Sequence, residues 1–182
     1  MNKKIIFVHG YTSSSKRDWY PNISKELNKL GLDYSIPDLP GGISPHSAEW
    51  LKVINEEAGK TSKPIILIGH SLGTRAVLLY LDKFEKKADT VLLIAPFNNN
   101  CALNRIGPYP DFFEYPVDIE KIKKLAKKFI VLHSTDDEAI DYQQGVDISK
   151  ELGATLVTYN NWGHFHDPDS YNIILESLKS VL

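Results

Sequence analysis

Short apolar segments recur along the chain and alternate with amphipathic segments. Several of them, including IIFV, IILI, VLLI and FIVL, hold four apolar residues in a row. Such continuous apolar runs are typical of strands that are buried on both faces of a parallel sheet. On this basis we predict six strands, at Lys4–Val8, Leu32–Ile36, Pro64–Ile68, Thr90–Ala95, Lys128–His133 and Thr155–Tyr159.

The segments between these strands carry apolar residues at helical spacing. The stripes consist of Ile23, Leu27 and Leu30, of Leu72, Ala76, Leu79 and Tyr80, and of Ile174, Leu178 and Val181. Gly31 and Gly153 follow two predicted helices, in the position where a left-handed residue often ends a helix. Strands that alternate with helices over short loops predict an α/β fold with three layers, α/β/α, around a mostly or wholly parallel sheet of about six strands.

One segment, residues 96–116, interrupts this alternation. The chain length of 182 residues fits one compact domain, residues 1–182. The segment is long for a connection in such a domain, and long irregular connections are often functional. We therefore interpret it as a short lid. Its aromatic residues either form the wall of a substrate pocket or anchor the loop to the sheet, and they are Phe97, Tyr109, Phe112 and Phe113.

A G-x-S-x-G pentapeptide, Gly69-His70-Ser71-Leu72-Gly73, directly follows the third predicted strand and directly precedes a predicted helix. In open α/β sheets, ligands bind beyond the carboxyl ends of the strands. A serine on a sharp turn between strand and helix needs neighbours without a Cβ two residues away, which the glycines supply. The pattern predicts Ser71 as a nucleophile, with the Leu72 N–H directed towards a developing oxyanion.

A serine nucleophile needs a base, and the base needs a group that orients it. In this type of sheet the acid and then the histidine follow the serine, each at the end of a strand. Asp136 and Asp137 both follow the fifth predicted strand; we favour Asp137 as the acid, with Asp136 as a turn-forming residue. His164 and His166 follow the sixth strand, and we favour His164 as the base. These two histidines could instead belong to a metal site, but no third ligand is evident.

The first predicted strand ends in His9-Gly10-Tyr11. Acyl transfer needs two N–H donors for its oxyanion, and the second comes from the loop after an early strand. Gly10 permits a close approach, so we predict Tyr11 N–H as the partner of Leu72 N–H in an oxyanion hole. His9 is interpreted as a structural residue packed beneath this loop, and His133 as the end of a strand. His46 and His70 are interpreted as surface residues or as residues that support the site.

Composition and charge narrow the classes of partner. With 21 basic and 23 acidic side chains the formal net charge is −2, so we expect neither a nucleic acid nor a membrane as partner. Five lysines lie close together at Lys121, Lys123, Lys124, Lys127 and Lys128. We interpret them as the solvated face of an amphipathic helix whose apolar residues are Ile122, Leu125 and Ala126. The single cysteine, Cys101, fits a reducing compartment, and the absence of a signal-peptide pattern predicts a cytoplasmic protein.

Together these motifs resemble a known family. HGY near the N-terminus, Trp19-Tyr20-Pro21, GHSLG, STDD and GHF are similar to motifs of the small α/β-hydrolase family of retinoblastoma-binding protein 9 and YdeN-like serine hydrolases. The resemblance covers nearly the whole chain. It implies a compact α/β-hydrolase fold that lacks the two leading strands of larger members. It also implies Ser71 as nucleophile, Asp137 as acid and His164 as base. A proline that often follows the acid in that family is absent here, where Glu138 follows.

The residues and the resemblance lead to one functional expectation. We expect a carboxylesterase-like serine hydrolase that cleaves an ester, or an amide, of a small or medium acyl substrate through an acyl-enzyme. No cofactor and no metal are expected, and the expected partner is the small-molecule substrate. A serine aminopeptidase or amidase with the same triad is an alternative, and so is a protein-binding module without activity on a hydrolase scaffold.

Overall fold

A computed structural model describes residues 3–98, 101, 102, 105, 106 and 108–182. The strands are β1 (Lys4–Val8), β2 (Asp33–Ser35), β3 (Ile65–His70), β4 (Ala88–Ile94), β5 (Cys101–Ala102), β6 (Arg105–Ile106), β7 (Ala126–Ser134) and β8 (Thr155–Tyr159). The helices are α1 (Tyr20–Lys29), α2 (Ser47–Gly59), α3 (Leu72–Phe84), α4 (Ile119–Ile122), α5 (Tyr142–Leu152) and α6 (Tyr171–Lys179), and 3₁₀ turns occupy Pro110–Phe112 and Pro168–Ser170.

The main sheet has six strands in the order β2-β1-β3-β4-β7-β8. All five neighbouring pairs are parallel, which confirms the predicted wholly parallel alternative. Because every strand runs in the same direction, the carboxyl ends of β1, β3, β7 and β8 meet at one edge of the sheet. The predicted functional residues follow these ends, so the topology collects them at that edge.

Apolar residues on the two faces of the sheet form two separate cores. Along β1, Ile6 and Val8 pack into one core together with α2, α3 and α5. Ile5 and Phe7, which point to the opposite face, pack into the other core with α1 and α6. This alternation within one apolar run is what a strand covered on both sides requires. The three predicted layers, helices on each side of a sheet, are therefore present.

Several local predictions need correction. The lysine run does not lie on one helix, because α4 ends at Ile122 and β7 begins at Ala126. Lys127 and Lys128 are therefore strand residues, and Lys127 Nζ lies 2.8 Å from Asp89 Oδ1. Leu30, assigned to an apolar stripe, is 49% exposed. Both glycines predicted to end helices do adopt left-handed backbone, with φ of 64° at Gly31 and 65° at Gly153.

The predicted lid, residues 96–116, lies only partly within the described residues. Its described portions include the antiparallel pair β5–β6 and the 3₁₀ turn Pro110–Phe112. The buried Arg75 of α3 holds the second portion: its Nε and Nη2 each donate over 2.7 Å, to Phe112 O and Tyr115 O. In the part of the chain that the structure describes, no helix combines the length and apolarity needed to cross a bilayer.

Candidate active site

Ser71 occupies a strained turn between β3 and α3. Its φ of 53° and ψ of −123° are rarely adopted by a residue with a side chain and cost on the order of 1–3 kcal/mol. The flanking glycines make this turn sterically possible. A Cβ on Gly69 would lie 2.7 Å from Gly73 O, and a Cβ on Gly73 would lie 2.1 Å from Val8 O. The turn therefore places α3 directly against the end of β1, with Ser71 at the carboxyl edge of the sheet.

The structure brings Ser71, His164 and Asp137 into one hydrogen-bonded row. His164 Nε2 lies 2.9 Å from Ser71 Oγ, and His164 Nδ1 lies 2.8 Å and 3.0 Å from the two carboxylate oxygens of Asp137. Because a carboxylate only accepts, Nδ1 carries the ring proton and Nε2 is free to accept from the serine hydroxyl. This is the arrangement in which a histidine can act as the base for a serine nucleophile.

Asp137 is a buried carboxylate whose acceptor sites are well occupied. Its Oδ1 accepts from the backbone N–H groups of Ala139 and Ile140 at 2.8 Å and 2.9 Å, and its Oδ2 lies 3.3 Å from His133 Nε2. Burial opposes ionisation, but the contacts with His133 and then His164 outweigh it and hold the pKa of Asp137 well below its usual range. The group is therefore negative at neutral pH and can stabilise a protonated His164.

Asp136, the other candidate acid, does not contact His164. Its Oδ1 accepts from Ser134 Oγ, from Asn161 N at 2.9 Å and from Gly163 N at 3.3 Å. It thus joins the loop after β7 to the loop after β8, which carries His164. The predicted turn-forming role captures part of this, but the structure adds a link between two loops.

Two further histidines surround His164. The ring centroids of His70 and His166 lie 5.2 Å and 5.1 Å from that of His164. His70 is buried, which excludes the surface position among the two considered for it, and its Nε2 donates to His164 O over 2.9 Å. Burial, reinforced by the nearby His164 and His166, lowers the pKa of His70 to about 3. His166 lies 3.3 Å from Asp18 through its Nδ1, and this contact raises the pKa of His166.

The loop after β1 lies against Ser71 on the side of the predicted oxyanion hole. A Cβ on Gly10 would stand only 3.1 Å from Ser71 Cβ, so the close approach expected of Gly10 is present. Leu72 is the first residue of α3, where an N–H has no acceptor within the helix. His9 is buried beneath the loop, where its Nε2 accepts from Leu39 N over 2.9 Å.

A cavity of about 230 Å³ opens at Ser71 and His164. It is also lined by Tyr11, Tyr109 and Ile140, with Gly10, Thr12, Ala139 and His166 completing the wall. A neighbouring cavity of about 540 Å³ shares three of its lining residues and extends past Glu138, Trp162, Gly163 and Asp167. The serine hydroxyl therefore faces a small space that continues into a larger, more open one.

Only one of the four aromatic residues predicted for the pocket is among the residues lining this cavity. That residue is Tyr109, whose ring stands 5.3 Å from that of Tyr11. Phe97 and Phe112 are instead buried in the core. The ring centroid of Phe113 lies 5.3 Å from that of Phe97, and the Arg75 guanidinium lies over the Phe113 ring. These three rings anchor the segment to the sheet, which is the other role considered for them.

Sequence reasoning missed two residues with close contacts to this region. His133 lies beside Asp137, and its place at the end of a strand, shortly before the candidate acid, was an available signal. Arg75 fixes the segment that carries Tyr109, and its charge within the apolar stretch LGTRAVLLYL was another. Within the described ranges, no three His, Cys, Asp or Glu side chains converge as a metal site would require.

Comparison with known proteins now settles the family. The family model described as serine hydrolase matches residues 5–179. The chain belongs to the serine hydrolase family. This serine hydrolase is 26% identical to YdeN of Bacillus subtilis over 173 residues, which cover 94% of this chain and 90% of YdeN. It is also 26% identical to the serine hydrolase RBBP9 of Rattus norvegicus over 179 residues, 98% of this chain and 94% of RBBP9.

Solved structures agree with this membership. The crystal structure of the ydeN gene product from B. subtilis superposes with a TM-score of 0.87 at 25% sequence identity and covers 98% of both chains. The α/β-hydrolase fold and the YdeN-like resemblance predicted from the motifs are therefore confirmed.

Proposed function

We propose that this serine hydrolase cleaves an ester, or an amide, of a small or medium acyl compound, with Ser71, His164 and Asp137 as its catalytic triad. Family membership indicates a hydrolase. The observation that supports the finer proposal is the continuous row from Ser71 Oγ through both ring nitrogens of His164 to Asp137. No metal or organic cofactor enters the proposed reaction.

In the proposed first step Ser71 Oγ attacks the substrate carbonyl carbon while His164 Nε2 accepts the hydroxyl proton. Asp137 keeps Nδ1 protonated and stabilises the imidazolium that forms. The carbonyl oxygen becomes an oxyanion between the N–H groups of Tyr11 and Leu72, and each donor of this type contributes about 3 kcal/mol. The intermediate collapses when the leaving group takes the proton from Nε2, and an acyl-serine remains.

In the second step water attacks the acyl-serine. His164 Nε2 accepts a proton from this water and then returns it to Ser71 Oγ, so the free acid leaves and the starting state is restored. Ester and amide substrates would use the same residues and differ only in the leaving group. The geometry of the triad therefore supports both bond types equally.

The cavity beside Ser71 supports a small or medium acyl group. Its volume of about 230 Å³ lies below the roughly 300–1,000 Å³ typical of sites for drug-sized ligands. Tyr11, Tyr109 and Ile140 supply apolar surface for the acyl group, and the adjoining larger cavity offers space for the leaving group.

The single cysteine fits a reducing compartment, and we propose that the protein is located in the cytoplasm.

Labelling with a fluorophosphonate probe tests this proposal. We expect rapid labelling of the wild type, none of Ser71→Ala, and labelling slowed by about 10³-fold in His164→Ala, because the hydroxyl then lacks its base. Exposed positions supply the matched controls Ser180→Ala and His46→Ala, which should be labelled like the wild type. A panel of p-nitrophenyl esters and amides of increasing acyl length then defines the substrate class.

Two results would contradict the proposal. A folded wild type that resists the probe would favour the alternative of a binding module on a hydrolase scaffold. Labelling that persists in Ser71→Ala would place the reactive group elsewhere.

A further inference from the structure

His133 is a buried histidine that touches the proposed acid from the side opposite His164. It lies in β7, its side chain has no exposed surface, and its Nε2 lies 3.3 Å from Asp137 Oδ2 and 3.3 Å from Ile140 O. Both of these neighbours can only accept a hydrogen bond. Nε2 must therefore carry a proton, which is hydrogen-bonded to Ile140 O and lies beside the Asp137 carboxylate.

The other ring nitrogen of His133 is closed off by a helix. A Cβ on Gly145 of α5 would lie 2.1 Å from His133 Nδ1, and Nδ1 has no hydrogen-bond partner among the described residues. The Tyr142 ring packs 5.6 Å from the His133 ring. An unprotonated Nδ1 is the state that such an apolar wall favours, so the surroundings of the ring fit the Nε2–H tautomer.

The carboxylate of Asp137 has about four acceptor sites. Two on Oδ1 receive the N–H groups of Ala139 and Ile140, and His164 Nδ1 lies closer to Oδ2, at 2.8 Å, than to Oδ1, at 3.0 Å. The remaining site on Oδ2 faces His133. One carboxylate oxygen thus serves two imidazoles, of which only His164 reaches the serine.

We propose that His133 is a positioning residue of this active site: its Nε2–H fixes Oδ2 of Asp137 and withdraws part of the carboxylate charge from His164. The proposal rests on the proposed function, since it assigns His133 an effect on the base of that reaction. Withdrawal of charge weakens the attraction of Asp137 for the imidazolium that forms on His164 during the reaction. Asp137 also stays in the rotamer that meets His164.

The pH dependence of labelling tests the charge effect. We expect His133→Leu to move the acidic limb of the labelling-rate profile to higher pH by about 0.5–1 unit, because the whole carboxylate charge then acts on His164. His133→Gln places an amide N–H near the position of Nε2 and should return the limb towards the wild type. Tyr142→Phe keeps the ring that packs on His133 and removes only the hydroxyl that contacts Thr158 Oγ1, so it is the matched control and should leave the limb in place.

The other titratable or charged groups near His164 remain unchanged in all of these variants. They are Ser71, His70, His166 with its partner Asp18, and Glu138 and Asp167, which line the adjoining cavity. Acidic limbs that coincide in His133→Leu and the wild type would overturn the proposal, even if the variant is slower or less stable. If His133→Leu does not fold, His133→Asn replaces it, because its shorter amide does not reach Asp137.

A second measurement does not depend on activity. Nitrogen-15 NMR of the histidine rings in the resting protein should show His133 protonated at Nε2 and unprotonated at Nδ1. The opposite tautomer would overturn the proposal, because Nε2 could then not donate to Asp137. Failure of the wild type to react with the probe would contradict the proposed function but would leave this tautomer result intact, so the two failures are distinguishable.

Discussion

At the level of single residues, the serine turn depends on a contact that leaves no room for a side chain. Gly73 follows Ser71 by two positions, and its Cα faces the last carbonyl of β1, so that an added Cβ would stand 2.1 Å from Val8 O. Backbone atoms cannot yield as a flexible side chain can. Either α3 or the end of β1 would have to move, and Ser71 and the loop of Tyr11 would move with them.

We therefore expect Gly73→Ala to destabilise the protein by at least about 2 kcal/mol and to abolish fluorophosphonate labelling. Gly59→Ala is the matched control. Gly59 ends α2 with ordinary helical backbone and nothing within 4 Å of an added Cβ, so alanine there should stabilise by about 0.5–1 kcal/mol. Urea unfolding measures both variants. Equal stabilities in the two would show that the contact at Val8 O relaxes without cost.

At the level of elements, α3 carries both the serine turn and the anchor of the pocket wall. Arg75, one turn after Ser71, is 2% exposed, and its guanidinium donates to Phe112 O, Tyr115 O and Asn98 Oδ1. Burial lowers the pKa of Arg75 to about 10, so the group stays charged at neutral pH. These three hydrogen bonds start from one planar guanidinium, and they hold the described part of residues 96–116, including Tyr109, over the cavity.

Arg75→Met tests this anchor. Loss of the guanidinium leaves the carbonyls of Phe112 and Tyr115 without their donor, and we expect a loss of about 2–4 kcal/mol in stability. Because Tyr109 is then less well placed, KM for a p-nitrophenyl ester should rise more than kcat falls. Lys83→Met changes an exposed charge on the same helix and should stay within about 0.5 kcal/mol of the wild type. Hydrogen exchange at 108–116 that matches in both variants would contradict the anchor.

Local pattern was enough to predict the elements and the order of the site, but not the contacts between distant segments. The apolar runs predicted six strands because burial on both faces leaves a direct mark on the sequence. The boundaries of β7 were missed at Ala126, where the alternating lysines mimic a helical face. The two roles considered for Phe97, Phe112 and Phe113, pocket wall or anchor, could not be separated because nothing local reveals that Arg75 holds their segment inwards. The position of His133 at the end of a strand is visible in the sequence, but its contact with Asp137 forms only when the following loop folds back.

At the level of the whole molecule, five imidazoles with different surroundings lie at one edge of the sheet: His9, His70 and His133 are buried, His164 is half-buried and His166 is exposed. Burial lowers the pKa values of His9 and His70, whereas the contact with Asp18 raises the pKa of His166. The stability of the protein should therefore depend on pH in a way that its modest net charge of −2 does not suggest.

The contribution of His70 to the pH dependence of stability can be tested. Its pKa of about 3 in the folded protein lies below the value of about 6.5 expected in the unfolded chain. Between these values the unfolded chain binds the extra proton, so the stability supplied by the neutral ring is present above pH 6.5 and is lost as the pH falls. Linkage gives a loss of about 1.4 kcal/mol per pH unit, or about 2 kcal/mol at pH 5. His9 acts in the same direction, and His166 acts in the opposite direction because its pKa is raised.

We expect the free energy of unfolding to fall more steeply between pH 7 and pH 5 in the wild type than in His70→Gln. The glutamine amide can donate to His164 O as Nε2 does, but it does not titrate, so the variant loses only the pH-dependent part. His46→Gln, at an exposed position, is the control and should parallel the wild type. Urea titrations at half-unit steps measure the three curves. If His70→Gln also parallels the wild type, His70 is solvated or charged in the folded protein. The buried ring behind His164 would then not act as a neutral donor, and acid would weaken the fold through other groups.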